Sequence, residues 1–123
     1  MSGALHTVVE TPEFLRRVQG LLTAADRSAL INHLAANPDA GDVMPGTGGA
    51  RKLRWAVRGK GKSGGVRVIT FFSGPPVPVF VLTVFGKGEK INLSQAERNA
   101  LRNVLSELVT EYREGVKQNV KGG

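Results

Sequence analysis

The chain has 123 residues, no cysteine, two histidines and a formal net charge of +7. This length suits a single domain with one core. The absence of cysteine excludes disulfides, thiolate metal sites and a cysteine nucleophile, and His6 and His33 are too far apart in sequence to favour a transition-metal site. No metal and no cofactor are therefore expected.

The N-terminal third predicts a short strand followed by two helices. Residues 7–10 favour a strand, and Thr11 has the chemistry of a helix N-cap. Gly20 is expected to weaken or end this first helix. Thr23 starts a second helix, which stops at the residue before Pro38. Together these signals predict an αα-hairpin.

Three strands are predicted in the middle of the chain, after a glycine-rich loop at residues 41–49. The strands cover 52–57, 66–72 and 77–85, joined by a hairpin loop at 59–65 and a turn at 73–76. Such short links favour an antiparallel meander, because parallel neighbours need a longer crossover.

The C-terminal part predicts one amphipathic helix. Ser94 and Glu97 have the spacing of a capping box. The apolar face consists of Ala100, Leu101, Val104, Leu105, Leu108 and Tyr112. Core packing is the favoured role of this face, with a groove for a partner helix as the alternative. The polar tail at 115–123 is expected to fray, and all elements together predict one α+β domain over residues 1–123.

Nothing in the sequence predicts export or a membrane partner. The first residues lack a basic segment followed by an apolar run. The longest apolar stretch, at 77–85, has the length of a strand and is too short to span a bilayer. We expect a cytoplasmic protein.

The positive charge is concentrated in one internal segment. From Val43 to Gly88 there is no acidic residue, and this segment holds eight of the 17 basic residues. The other nine basic residues are offset by the ten acidic ones. A local field of this kind suits a polyanion such as RNA or DNA. A basic surface kept for solubility is less favoured, because solubility does not require excluding acids from the middle of a domain.

Four of these cations are candidates for one site. Lys52 and Arg54 lie two apart on a predicted strand and project from one face, opposite Leu53. Arg67 begins the next strand and Lys87 follows the third, so an antiparallel meander can bring them together. Arginine and lysine stabilise the charge that develops on a phosphorane, and RNA supplies its own 2′-OH nucleophile. Both catalysis on RNA and plain nucleic-acid binding fit this pattern.

Four short motifs resemble a known family. They are NPxxGDV at 37–43, PGTGGxRKLR at 45–54, GKGKxGGxRVI at 59–69 and GKxEK at 86–90. They resemble the HigB branch of the RelE/ParE toxin superfamily, over about residues 37–97. The resemblance implies a small antiparallel sheet with an N-terminal helical hairpin and a C-terminal helix.

The resemblance also implies an activity and partners. Most RelE-like proteins are metal-independent endoribonucleases that cut mRNA in the ribosomal A site through attack by the 2′-OH, which inhibits translation. They are toxins of type II toxin–antitoxin systems. The implied partners are therefore the ribosome, mRNA and a cognate antitoxin, in the HigB branch often a helix-turn-helix protein of the HigA kind.

By position, four residues match catalytic residues of the family. Arg67 resembles the arginine that stabilises the transition state, and Lys87 resembles the basic residue after the last core strand. Lys52 and Arg54 resemble the basic pair that contacts phosphate and, in some members, serves as general base. The remaining cations of the acid-free segment are expected to grip ribosomal or messenger RNA: Arg51, Arg58, Lys60 and Lys62.

The sequence departs from the family pattern at positions that matter for proton transfer. Gly88 stands where a second arginine is usual, and residues 91–93 lack the usual tyrosine. Thr70 and Phe71 also replace tyrosines common in this branch, and Tyr112 has the position of a helix-packing residue. A ParE-like protein that inhibits DNA gyrase without catalysis, and a basic RNA- or ribosome-binding module, therefore stay open as alternatives.

Overall fold

A mixed β-sheet lies between two N-terminal helices and a C-terminal helix in the computed structural model of the chain. The structure describes residues 5–57, 65–89, 91 and 93–122, and for 116–122 it describes the backbone alone. Within these residues the strands are β1 (Val8–Glu10), β2 (Asp42–Val43), β3 (Ala50–Trp55), β4 (Val66–Phe71) and β5 (Val79–Gly86). The helices are α1 (Pro12–Val18), α2 (Ala24–Ala36) and α3 (Gln95–Gly122). The predicted α+β class is confirmed.

The sheet has the strand order β1-β5-β4-β3-β2. The predicted meander corresponds to β3, β4 and β5, which pair antiparallel. In contrast to the purely antiparallel sheet expected, β1 pairs with β5 in parallel, since the chain between them is long enough for a crossover. The strand β2 lies inside the segment 41–49, which the sequence predicted as a loop. It was not predicted, because two residues are too few to show a periodic pattern.

Side-chain caps start all three helices where the sequence predicted them. The Thr11 hydroxyl accepts a hydrogen bond from the Phe14 N–H at 3.3 Å, and the Thr23 hydroxyl accepts one from the Asp26 N–H at 3.1 Å. The hydroxyl of Ser94 accepts from the Glu97 N–H at 3.1 Å, and the Glu97 carboxylate accepts from the Ser94 N–H at 2.8 Å. The predicted capping box is therefore confirmed.

Each face of the sheet has its own hydrophobic cluster. On one face, α1 and α2 pack on the sheet through Phe14, Val18, Leu30, Leu34, Val66, Val68, Val81 and Val84. On the other face, α3 packs through Leu105 against Met44, Ala50, Ile69, Phe71, Val77 and Phe80. The helices thus cover part of each face of the sheet, and their positions decide which part of each face stays open.

The predicted apolar face of α3 is partly wrong. Tyr112 packs on the α3 cluster, as predicted, together with Leu101 and Leu108. Val104 is 50% exposed and Ala100 is also exposed, because the buried stripe runs through 101, 105, 108 and 112 and passes beside them. The fraying expected at 115–123 stays a prediction.

Candidate functional site

Arg54 and Arg67 lie directly opposite each other on neighbouring strands. The register of β3 and β4 pairs Arg54 with Arg67, two positions along from the pair of Lys52 and Ile69. Directly opposed residues of an antiparallel pair project from the same face, with their Cβ atoms about 5 Å apart. Like charges in such a pair destabilise the sheet, so the arrangement is unfavourable for folding alone.

The two arginines occupy the same sheet face as α3, toward the other end of the strands. Ala50, Ile69 and Phe71 share this face and pack in the cluster around Leu105 of α3. Further along, Arg54 is exposed and Arg67 is half-buried. The strands β3 and β4 therefore present an apolar surface to α3 at one end and cationic side chains at the other.

Lys87 joins the two arginines at an open cleft with a volume of about 530 Å³. The cleft is lined by Arg54, Trp55, Ala56, Gly65, Val66, Arg67 and Lys87. The ion pairs seen among the described residues, which are Arg16–Glu13, Arg17–Glu89 and Arg27–Glu10, leave these three cations without a carboxylate partner. The cleft therefore concentrates positive charge where a phosphate group can bind.

Hydrogen bonds from a distant helix fix the turn that carries Lys87. Glu89 accepts a hydrogen bond from the Gly86 N–H at 2.7 Å and forms an ion pair with Arg17 at 2.6 Å. The Nε of Arg17 also donates to the Val84 carbonyl at 2.7 Å. The Gly86 N–H, and then Arg17, lower the pKa of the Glu89 carboxyl, which keeps it ionised at neutral pH. We call this set of contacts the Arg17–Glu89 clasp.

Lys52 lies near the cleft but does not line it. It projects from the same face as Arg54, two register positions further from the cleft. Its partner on β2 is Asp42, the last acid before the acid-free segment. Because an opposite charge stands directly across from it, Lys52 adds less to the field of the cleft than Arg54 or Arg67 does.

Of the four predicted RNA-gripping cations, Arg51 alone lies within the described residues. Arg51 alternates with Lys52 along β3 and projects from the opposite face, and its guanidinium donates to the Gly41 carbonyl at 3.0 Å. Arg58, Lys60 and Lys62 belong to the loop between β3 and β4, outside the described residues.

The glycine-rich run at 46–49 supports α3 and does not line the cleft. Thr47 is fully buried, and its hydroxyl accepts from the Ala50 N–H at 3.0 Å and donates to the Met44 carbonyl at 2.7 Å. From α3, Arg102 donates to a carbonyl of this loop at 3.1 Å. The glycines of the 45–54 motif therefore have a packing role, whereas Arg54 at the end of that motif lines the cleft.

Two of the positions where the sequence departs from the family pattern, Thr70 and Phe71, lie in the core, and Tyr112 lies against it. Thr70 is fully buried and Phe71 is 5% exposed, so neither reaches the cleft surface. Tyr112 packs against the α3 cluster. Proton transfer at the cleft would therefore depend on Lys87, since an arginine side chain does not deprotonate in proteins.

Sequence reasoning missed three residues around the cleft. Trp55 packs against His33 with ring centres 5.1 Å apart and also lines the cleft. Its position next to Arg54 was the signal that could have indicated this. Arg17 and Glu89 had no local signal, because they are 72 residues apart in the chain.

The described residues contain neither a metal-binding cluster nor a membrane-spanning helix. No cluster of three or more histidine, aspartate or glutamate side chains there is arranged to hold a metal ion. None of the helices in that part of the chain is long and apolar enough to cross a membrane.

The α+β layout, with its sheet between a helical hairpin and a C-terminal helix, agrees with the RelE/ParE toxin superfamily. A family model described as the RelE toxin of the RelE / RelB toxin-antitoxin system matches residues 32–123. The chain belongs to the RelE toxin family. RelE family toxins are generally endoribonucleases, and a RelE toxin implies a cognate antitoxin as partner.

Proposed function

We propose that the protein is a toxin of the HigB branch that cleaves mRNA in the ribosomal A site and so inhibits translation. The observation that carries this proposal is the opposed Arg54–Arg67 pair with Lys87 at one cleft, where no described carboxylate is paired with them. An arrangement that is unfavourable for the sheet and favourable for binding phosphate is typical of a site kept for function.

In the proposed reaction, the 2′-oxygen of a nucleotide attacks the adjacent phosphorus. The bond from phosphorus to the 5′-oxygen of the next nucleotide breaks, which leaves a 2′,3′-cyclic phosphate and a 5′-hydroxyl. The 2′-OH gives its proton to a water molecule, the leaving 5′-oxygen gains one from the general acid, and solvent then reprotonates that acid, so the step is balanced. Electrostatic stabilisation of the phosphorane is the main contribution that cationic side chains can make.

The three cleft cations take different roles in this reaction. Arg54 and Arg67 bind the non-bridging oxygens and stabilise the extra negative charge of the transition state. Lys87 gives its proton to the leaving 5′-oxygen, because it alone of the three can donate and regain a proton. Lys52 contacts a neighbouring phosphate of the mRNA.

The remaining partners follow from the charge of the surface and from the family. Arg51, Arg58, Lys60 and Lys62 provide contacts to ribosomal or messenger RNA whose strength falls with salt. A helix-turn-helix antitoxin neutralises the toxin, and both act in the cytoplasm.

Induced expression tests this function. The protein should arrest growth, and primer extension should show cuts within translated messages and none in the same message without a start codon. Coexpression of a helix-turn-helix protein encoded beside it should restore growth. Intact messages in arrested cells would contradict the proposal.

A second candidate is a ParE-like inhibitor of DNA gyrase. It is favoured by Tyr112, the one tyrosine of the sequence, because its side chain packs on the α3 cluster and leaves the cleft without the tyrosine that RelE-like nucleases often use. Purified protein that blocks supercoiling by gyrase and leaves ribosome-bound mRNA intact would favour this candidate. Ribosome binding without growth arrest would instead indicate a basic binding module.

A further inference from the structure

Lys87 stands between two glycines on the turn after β5, so its own backbone gives it little rigidity. Gly88 has a φ of +91°, and the turn is closed by a hydrogen bond of 3.2 Å from the Glu89 N–H to the Gly86 carbonyl. Glycine is the residue with the most conformational freedom to lose. A lysine that must deliver a proton to one oxygen therefore needs support from outside the turn.

We propose that Arg17 and Glu89 are positioning residues that hold Lys87 at the cleft. This inference rests on the proposed function of the cleft and adds to it a dependence on α1, which packs on the opposite face of the sheet.

Both oxygens of the Glu89 carboxylate take part in the clasp. One accepts from the Gly86 N–H at 2.7 Å, and the other pairs with the Arg17 guanidinium at 2.6 Å. Glu89 thus fixes the start and the end of the turn that contains Lys87. The low pKa of Glu89, caused first by the Gly86 N–H and then by Arg17, agrees with a carboxylate held in its charged form.

Arg17 is itself anchored at the edge of β5. The strand β1 pairs with this edge only from Val79 to Val81. Beyond that point, the Nε of Arg17 donates a hydrogen bond to the carbonyl of Val84. The guanidinium carbon also lies 5.0 Å from the centre of the Phe85 ring. Since Phe85 is paired with Arg67 on β4, the clasp is built on the strand segment that borders the cleft.

Charge and position make opposite predictions for the loss of Glu89. Removing an acid beside a cationic site should, by charge alone, strengthen the binding of anions and raise activity. If Glu89 acts by holding Lys87, its removal should weaken both. The variant Glu89→Ala therefore separates the two explanations by the sign of the effect.

The first arm of the test measures single-turnover cleavage of mRNA on programmed ribosomes. Glu89→Ala and Arg17→Met should each lower the cleavage rate at saturating ribosome by about tenfold, with little change in the half-saturating concentration. Arg16→Met is the matched control, because Arg16 is the neighbouring arginine on α1 and pairs with Glu13 at the surface. It should leave the rate unchanged.

A double-mutant cycle then shows whether the clasp acts through Lys87. In a Lys87→Ala background, Arg17→Met should have no further effect on the rate, because the group that it positions is gone. An equal loss in both backgrounds would overturn the proposal and assign Arg17 a direct or purely structural role. Circular dichroism and unfolding curves establish that each variant is folded.

The second arm is independent of the reaction. Trp55 is the only tryptophan of the chain and lines the cleft with Lys87, so quenching of its fluorescence by iodide reports the local positive charge. Relative to the neutral quencher acrylamide, iodide quenching should fall in Lys87→Ala and fall similarly in Glu89→Ala. A rise in Glu89→Ala would overturn the clasp. If Lys87→Ala cleaves mRNA like the wild type, the proposed function of Lys87 fails, and this quenching result alone decides whether the clasp holds Lys87 at the cleft.

Discussion

Arg54 and Arg67 are placed at a cost to the stability of the sheet. They are directly opposed on β3 and β4, whereas Lys52 on the same face is opposed by Asp42. A pair of like charges at directly opposed positions destabilises a sheet, and a pair of opposite charges stabilises it by a similar amount. The two positions are therefore a natural comparison on one strand.

Replacing Arg54 with threonine should stabilise the fold and reduce activity. Arg54→Thr removes the repulsion from Arg67, so the free energy of unfolding should rise by up to about 1 kcal/mol. The cleavage rate should fall by roughly 100-fold, because one group that stabilises transition-state charge is lost. Urea unfolding and single-turnover cleavage measure the two effects.

Lys52→Thr is the matched control, since it makes the same gain in strand preference on the same face. It loses the favourable neighbour Asp42 and should not stabilise the protein. Equal stabilisation by both substitutions would show that strand preference, and not the Arg54–Arg67 repulsion, explains the result.

At the scale of elements, Gly41 allows β2 to lie close against β3. Its φ is +97°, and a Cβ atom there would lie 2.8 Å from the Lys52 carbonyl oxygen. Gly20, before α2, has a φ of +85°, and a Cβ atom there would have no other atom within 4 Å. Both glycines adopt a left-handed conformation, and only Gly41 also meets the backbone of a neighbouring strand.

Gly41→Ala should therefore destabilise the protein more than Gly20→Ala. Gly20→Ala should lower the free energy of unfolding by about 1–2 kcal/mol, because its backbone is left-handed. Gly41→Ala should lower it by about 1–3 kcal/mol more, because the backbone carbonyl that the new Cβ meets cannot move away as a side chain does. Chemical unfolding of both variants measures the difference. Similar values would show that β2 can move off β3 freely.

The capping box makes the stability of α3 depend on pH. Hydrogen bonds from the Ser94 N–H, first, and from the Ser94 side chain hold the pKa of Glu97 below its ordinary value of 4.5. A carboxyl whose pKa is lower in the folded state adds stability above its unfolded pKa and loses it as the pH falls through the folded value. The contribution of Glu97 is therefore complete above the ordinary pKa of 4.5 and is lost as the pH falls through the lower pKa of the folded state.

Glu97→Gln should be less stable than the wild type at about pH 7, and the difference should shrink at about pH 3. Urea unfolding at the two pH values measures it. Glu107→Gln, on the same helix and outside the capping box, serves as control. A difference that is constant with pH would show that ionised Glu97 contributes nothing beyond its hydrogen bond.

For the whole molecule, the fold gathers basic residues of the acid-free segment at one surface cleft. The acid-free segment from Val43 to Gly88 contains the whole of β3, β4 and β5, which form the centre of the sheet. The acids at its two boundaries are both placed beside cations, Asp42 across from Lys52 and Glu89 with Arg17. The cleft between these boundaries keeps its positive charge.

Association with ribosomes should therefore depend strongly on salt. Raising the salt from about 50 to about 200 mM should weaken binding by one or more orders of magnitude, because phosphate contacts release counterions. Co-sedimentation with ribosomes across this range measures the slope, and Arg16→Met, at an exposed surface ion pair, is the control. Binding that is indifferent to salt would show that the basic segment does not contact RNA.

Local signals made much of the fold predictable. Thr11, Thr23 and Ser94 cap the helices through contacts within three residues, and the alternation of Leu53 with its basic neighbours identified the faces of β3. Contacts between distant parts of the chain were not predictable. The parallel pairing of β1 with β5 and the ion pair of Arg17 with Glu89 depend on how the helices return to the sheet.

The candidate site was predictable in composition but not in geometry. The four proposed residues all lie on one sheet face or just past its end, yet only Arg54, Arg67 and Lys87 line the cleft. The register of β3 against β4 decides that Arg54 faces Arg67, and alternation within one strand carries no information about register.

The most direct test of the central claim compares Arg67→Ala with Lys60→Ala in cleavage of ribosome-bound mRNA. Arg67→Ala should lower the rate at saturating ribosome by roughly 100-fold with ribosome binding intact, since Arg67 contacts the scissile phosphate and acts most strongly on the charge of the transition state. Lys60→Ala should instead weaken ribosome binding and leave the saturated rate unchanged. A saturated rate in Arg67→Ala equal to that of the wild type would contradict the assignment of the cleft as the catalytic site.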